Sequence, residues 1–97
     1  MSRVYGFAQI TIHDPEGYKA YEENFMAILA EHGGRLVGFA QPPEIVEGSF
    51  EATRAVLLEF DSREAFDAWY GSDAYQGIMK HRLASSEGTV IVLNGIG

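Results

Sequence analysis

The hydrophobic and polar positions follow first a strand-like and then a helical spacing. Residues 4–12 (VYGFAQITI) are rich in β-branched and aromatic side chains, and they stop before Pro15, which predicts a first strand. Asp14 is suited to cap a following helix that runs to about His32 and ends at two glycines. Its predicted core-facing stripe has helical spacing: Tyr18, Tyr21, Phe25, Ile28 and Leu29.

The second half of the chain repeats this alternation. Residues 35–41 (RLVGFAQ) predict a second strand, with a short extended segment over 44–48 after two prolines. Residues 54–60 (RAVLLEF) predict a third strand, and the short connection indicates an antiparallel hairpin with the second. Residues 89–94 (TVIVLN) predict the fourth.

Two serines mark the beginnings of helical segments between the third and fourth strands. Ser62 is the predicted cap of a helix that ends at Gly71, and Ser72 the cap of one that runs to about Leu83; one kinked helix is the alternative. The predicted inward side chains are Ala65, Phe66 and Trp69, then Tyr75, Ile78, Met79 and Leu83.

The order strand, helix, strand, strand, helix, strand is the split β-α-β pattern of ferredoxin-like folds. It predicts an α+β protein with one four-stranded antiparallel sheet and its helices on a single face. Residues 1–97 are long enough for one such domain.

The strands carry apolar residues on both faces, although the helices can cover only one. In the predicted third strand, Leu57 is on the other face of the sheet from Val56 and Leu58. In the fourth strand, Ile91 is on the other face from Val90. Soluble proteins seldom leave such a patch exposed, so we expect a second copy of the chain to cover it as a homodimer.

Composition excludes several functions. The formal charge is −7, which argues against a nucleic-acid partner, and the absence of cysteine excludes disulfides and thiolate chemistry. No signal peptide or membrane span is recognisable, so we expect a cytoplasmic protein without a membrane partner.

Several short motifs, in order, resemble the family known as domain of unknown function 1330. They are HGGR at 32–35, EG at 47–48, LEFDS at 58–62, WYGS at 69–72 and YQ at 75–76. The family often has proline at the position of Asp61 and Pro-Glu at 73–74, where this chain differs. The resemblance implies a ferredoxin-like protomer that pairs as a dimeric α/β barrel. That superfamily includes cofactor-independent monooxygenases, small isomerases and stress-linked proteins.

Four charged residues are candidates for catalysis. His32 is a candidate general base beside the anion-binding guanidinium of Arg35, although a histidine at a helix C-terminus also has a purely structural explanation. Arg54 is a candidate anion stabiliser and Glu47 a candidate proton shuttle if they face a cavity; otherwise they form an exposed pair.

Aromatic and polar side chains are candidates for binding a small organic ligand. Tyr5 and Gln9 belong to a mixed strand face that suits a cavity between sheet and partner, while Trp69, Tyr70 and Tyr75 suit either a pocket or the core.

The sequence contains no local pattern for a metal site or a nucleotide loop, so we expect no cofactor. It leaves three functions open. They are a cofactor-independent enzyme acting by proton transfer or oxygenation, a non-catalytic small-molecule-binding or stress-response module, and a protein whose sheet serves only to dimerise.

Overall fold

The computed structural model describes residues 2–96, which form four strands and three helices. In chain order they are β1 (Val4–Ile12), α1 (Pro15–Glu31), β2 (Arg35–Ala40), β3 (Arg54–Phe60), α2 (Arg63–Tyr70), α3 (Asp73–Ser85) and β4 (Ser86–Asn94).

The strands form one antiparallel sheet in the order β2-β3-β1-β4. The two central strands are in register from Val4 opposite Phe60 to Ile10 opposite Arg54. The pairing of β2 with β3 is interrupted by a bulge between Leu36 and Gly38. The predicted ferredoxin-like arrangement, including the hairpin of the second and third strands, is confirmed.

The helices begin where the capping residues predict. Asp14 accepts a hydrogen bond from the amide of Gly17 at 3.2 Å, and Ser62 and Ser72 cap α2 and α3 in the same way. Gly71 ends α2, so the two predicted segments are separate helices.

Three boundary predictions are wrong. Residues 44–48 form no strand, because the two prolines before them cannot donate to a ladder and Gly48 has a left-handed backbone (φ 86°). The third helix continues to Ser85 instead of Leu83, and β4 begins at once at Ser86 instead of Thr89. Backbone pairing with Ile12 to Ile10 extends β4 over residues of low strand propensity.

Aromatic residues from β3 and all three helices dominate the core between the helices and the sheet. Trp69 contacts the ring of Tyr75 at a centroid distance of 4.2 Å and that of Phe60 at 5.3 Å. The predicted stripe of α1 is confirmed, with Phe25 half-buried. Leu83, predicted to face inward on α3, is instead exposed, and the neighbouring Arg82 occupies the inner face.

The opposite face of the sheet carries no helix. Ile91 and Leu93 of β4 are 44% and 48% exposed there, and the half-buried Phe7 and Leu57 lie beside them in the ladder. We call this group, Phe7, Leu57, Ile91 and Leu93, the open-face patch. No helix between residues 2 and 96 is long and apolar enough to cross a membrane.

Candidate functional site

A cavity of about 180 Å³ lies between the helices and the helix-facing side of the sheet. Small residues of the central strand β1, Gly6 and Ala8, form part of its floor and leave room beneath the helices. Met26, Leu36 and Phe39 line it and are 40–55% exposed, so they form its opening. The walls are mainly apolar: Ile10, Phe25, Val56, Leu58, Trp69 and Val90 complete much of the lining.

Three charged side chains line this otherwise apolar cavity. They are Arg54 of β3, Arg82 of α3 and Glu22 of α1. Two arginines against one glutamate give the lining a formal charge of +1, opposite in sign to the −7 of the whole chain. The cavity therefore favours an anionic group on an apolar ligand.

Arg54 is held in place from several sides. Its Nη2 donates to Gln41 Oε1 at 2.8 Å, and its Nη1 lies 3.4 Å from Glu22 Oε2. Its guanidinium lies over the rings of Tyr18 and Phe39, 5.1 and 5.3 Å from their centroids. The side chain is only 12% exposed, so its charge acts in a partly desolvated environment.

Arg82 is the buried cation of the site, with 6% of the residue exposed. Its guanidinium lies 5.8 Å from the ring centroid of Tyr21. Within residues 2–96 no carboxylate lies within ion-pair distance of Arg82, and its Nε has no hydrogen-bond partner. Burial opposes its charged form, but the neighbouring Tyr75 and Tyr21 outweigh that effect and raise its pKa, so the guanidinium stays charged.

Tyrosine hydroxyls share the cavity with these cations. Tyr21 and Tyr75 form a buried hydrogen bond of 2.8 Å between their hydroxyl oxygens. Burial, reinforced by Tyr75, raises the pKa of Tyr21 far above its ordinary value. Burial also raises the pKa of Tyr18, although the nearby Arg54 partly offsets it. Tyr18 and Tyr21 are therefore neutral hydrogen-bond donors at neutral pH and not bases.

The structure brings together three of the candidate residues from the sequence. Arg54, Trp69 and Tyr75 all line the cavity. Tyr70 is half-buried beside it. Its ring stacks on that of Phe66 at a centroid distance of 6.0 Å and lies 5.5 Å from that of Tyr75, also between centroids.

The other charged candidates do not line the cavity. His32 Nδ1 lies 2.9 Å from the carbonyl oxygen of Ile28, which is the structural arrangement expected of a histidine at a helix C-terminus. Arg35 donates to Glu59 at 2.8 Å and to Asp61 at 2.9 Å. Glu47 lies in the exposed β2–β3 loop, and Arg54 contacts Glu22 instead of Glu47. The catalytic assignment of His32, Arg35 and Glu47 stays a prediction.

Tyr5 and Gln9 lie on the helix-free face of the sheet. The Tyr5 hydroxyl donates to Glu59 Oε2 at 3.0 Å, and Gln9 is half-buried opposite Ala55. The cavity seen in this structure is therefore on the other side of the sheet from both residues.

Four cavity residues with polar or charged groups were not singled out from the sequence as site residues: Tyr18, Tyr21, Glu22 and Arg82. For Arg82 a signal was present. Tyr75, Ile78, Arg82 and Ser85 follow helical spacing along one buried face of α3. An arginine within an apolar stripe indicates either a buried ion pair or a ligand site.

No cluster of three or more histidine, cysteine or acidic residues suited to a metal ion occurs in the part of the chain that the structure describes.

Solved structures share this fold across almost the whole chain. A protein of unknown function from Rhodopseudomonas palustris is 19% identical over 99% of this chain and 84% of its own, with a TM-score of 0.83. The cofactor-independent oxygenase SnoaB from Streptomyces nogalater is 13% identical over 100% and 96%, with a TM-score of 0.73.

A third similar structure is a dimeric ferredoxin-like protein of unknown function from Jannaschia sp. CCS1. It is 21% identical over 98% of this chain and 99% of its own, with a TM-score of 0.67. No curated protein matches the sequence significantly. The model of the family called domain of unknown function (DUF1330) matches residues 3–96, and the chain belongs to this family.

Proposed function

We propose that the protein is a cofactor-independent enzyme that moves a proton on a small organic molecule held in the cavity beneath the helices. The observation that carries this proposal is the pairing of a largely buried cation, Arg54, with a half-exposed carboxylate, Glu22, at the wall of an apolar cavity. The likeness to a cofactor-independent oxygenase is consistent with such chemistry, although the sequence identity is only 13%.

The size of the cavity limits the ligand. At about 180 Å³ it is slightly larger than the engineered apolar cavity of roughly 150 Å³ that binds benzene. A single aromatic ring with one or two substituents suits this volume and the aromatic walls. Nucleotides and other large polar cofactors do not.

The two charged groups have complementary roles in proton transfer. The Glu22 carboxylate accepts a proton from an acidic C–H or O–H of the substrate, and the bond electrons remain on the substrate as an enolate or phenolate. The Arg54 guanidinium stabilises that negative charge. Return of the proton to a different atom gives an isomer. Attack of the carbanion form on O₂, the two-electron oxidant, instead forms a C–O bond and a peroxide. The peroxide takes up the abstracted proton, and loss of water from the hydroperoxide leaves a carbonyl group on the substrate.

Binding of matched small molecules tests the site before any substrate is known. We expect benzoate to bind more tightly than the neutral, similarly shaped benzyl alcohol in calorimetric titration. Arg54→Gln is expected to reduce benzoate affinity by about 10- to 100-fold, because a hydrogen bond to a charged group contributes roughly 1.5–3 kcal/mol. Arg63→Gln, on an exposed side chain of α2, is the control that leaves affinity unchanged.

Turnover then separates an enzyme from a binding module. With a panel of enolisable and phenolic ring compounds in deuterated water, we expect exchange of a substrate proton that Glu22→Gln abolishes while benzoate affinity is retained. Binding without exchange or conversion of any compound would favour the non-catalytic alternative.

We also propose that the protein is a homodimer in which a second copy covers the open-face patch. Its four exposed or half-buried apolar side chains and the dimeric state of the Jannaschia protein support this assembly. Sheet-to-sheet pairing leaves the cavity, on the opposite face, accessible in each protomer.

A further inference from the structure

Arg82 is a buried cation for which residues 2–96 supply no ion-pair partner. A cation with 6% exposure ordinarily has a carboxylate or several hydrogen-bond acceptors beside it. Arg54 has Gln41 and Glu22, but no acid within residues 2–96 forms an ion pair with Arg82. Two neutral tyrosines lie beside it: Tyr21, whose ring centroid is 5.8 Å from the guanidinium, and Tyr75.

Arg82 also faces the cavity, which distinguishes it from an arginine enclosed in the core. It lines the cavity together with Tyr21, Tyr75 and Trp69. Its Nε is buried and has no hydrogen-bond partner. The two terminal nitrogens of the guanidinium are therefore the donors that can reach a molecule bound in the cavity.

The tyrosine pair beside Arg82 supplies one further donor. Tyr21 and Tyr75 have two hydroxyl protons between them, and their mutual hydrogen bond of 2.8 Å uses only one. The second proton is therefore available to an acceptor oxygen. A guanidinium and a phenolic O–H side by side are suited to an oxyanion.

We propose that Arg82 and the Tyr21–Tyr75 pair form an oxyanion subsite at the inner wall of the cavity, and that the ligand is a planar aromatic molecule bound as its phenolate or enolate. Trp69 and Tyr75 both line the cavity, and their rings pack on each other at a centroid distance of 4.2 Å, so together they supply an aromatic wall for such a ring. The ligand's oxyanion takes the place of the missing carboxylate. This proposal rests on the proposed function, because it names the substrate class of the same cavity.

The geometry favours a singly charged aromatic oxyanion over other anions. A phosphate or a dicarboxylate carries more hydration than one buried guanidinium and one hydroxyl can replace. An aliphatic carboxylate has no ring to pack against the aromatic side chains that line the cavity. A phenolate carries its charge on one oxygen at the edge of a ring, which matches donors at the end of an aromatic pocket.

A coloured phenol tests the subsite without any turnover. The probe is 4-nitrophenol, whose anion absorbs visible light and whose neutral form does not. We expect its pKa to fall by about one unit or more on binding to the wild-type protein, which means that the anion binds at least about tenfold more tightly than the neutral phenol. The expected result is a visible spectrum of the bound anion below the pH at which it appears in free solution.

Two substitutions of Arg82 and one control identify the source of that shift. Arg82→Met is expected to remove most of the pKa shift and to leave only the part due to Arg54 in the same cavity. Arg82→Lys keeps more of the shift because a positive charge remains. Arg63→Met removes a cation from the surface of α2 and is expected to leave the spectrum unchanged.

Thermal melting tests whether the spectral shift is lost merely because the Arg82→Met variant is unfolded. Arg82→Met is expected to melt at the same temperature as the wild type or higher, because it replaces a buried unpaired charge with an apolar side chain of similar length. If this variant does not fold, the wild-type spectrum still decides, since a bound phenol with an unshifted pKa overturns the proposal.

The outcomes separate this proposal from the one on which it rests. A 4-nitrophenol that binds with an unshifted pKa, or with a shift that is undiminished in Arg82→Met, overturns the subsite but leaves Arg54 and Glu22 in their roles. Failure of 4-nitrophenol to bind also overturns the subsite, and the benzoate titration then judges the proposed function separately. A spectral shift reduced only in the Arg82 variants supports the subsite.

Discussion

The Glu59 carboxylate accepts hydrogen bonds from three side chains at one end of the helix-free sheet face. Arg35 donates to it at 2.8 Å, Tyr5 at 3.0 Å and Arg3 at 3.4 Å, and its side chain is only 13% exposed. The hydrogen bond from Arg35, followed by that from Tyr5, lowers the pKa of Glu59 below its usual 4.5. The carboxylate therefore ties β2, β3 and the beginning of β1 together.

The pKa of Glu59 gives a stability prediction with a definite sign. Because its pKa is lower in the folded than in the unfolded protein, its stabilising effect is present above about pH 4.5 and is lost as the pH falls through the folded value. Glu59→Gln is expected to lower the urea midpoint at neutral pH, and the difference from wild type should shrink in acid. Glu51→Gln, in the exposed β2–β3 loop, is the control. An equal loss at every pH would contradict the explanation.

Gly34 is required by packing after α1. A Cβ at this position would meet the side chain of Leu29 and lie 2.6 Å from the ring of Phe60, and both residues are fully buried. Gly34→Ala is expected to destabilise the protein by about 1–3 kcal/mol through overpacking. Chemical denaturation measures this change. An unaltered free energy of unfolding would show that Leu29 and Phe60 can move to accommodate the added methyl group without cost.

At the scale of the element, α3 contains a glycine that its packing does not require. Gly77 is exposed in the helix interior, and a Cβ there meets nothing within 4 Å. Gly77→Ala is expected to raise stability by about 0.5–1 kcal/mol, because alanine loses less backbone entropy on folding. That gain corresponds to a melting temperature several degrees higher in calorimetry. A lower melting temperature would indicate a contact with a partner at this face.

The elements themselves were largely predictable from the sequence. Asp14, Ser62 and Ser72 act within three residues along the chain, and the stripe of α1 depends only on helical periodicity. The errors arose where pairing partners override local preference. Ser86 to Gly88 form a strand because β1 lies beside them, and residues 44–48 have no such neighbour.

At the scale of the whole molecule, the proposed homodimer depends on the open-face patch. A charge within the open-face patch should prevent sheet-to-sheet pairing, because a second copy would have to desolvate it. Ile91→Glu is expected to convert the homodimer to a monomer in native mass spectrometry. Leu83→Glu introduces the same charge at a residue 60% exposed on α3 and should leave the mass unchanged. A monomeric wild type would contradict the proposed dimer.

The sequence by itself determined the order of the elements, the two faces of the sheet and the family to which the chain belongs. These features depend on spacing and on contacts between residues close in the chain. It also pointed to Arg54, Trp69 and Tyr75, which do line the cavity.

Only the tertiary structure decided where the cavity lies and which groups meet inside it. Its volume depends on small side chains in β1 lying beneath large ones in α1 and α3, elements that are far apart in sequence. Arg82 stands out for the same reason. The spacing of α3 places it on a buried face, but that no acid accompanies it there depends on every element that packs around it.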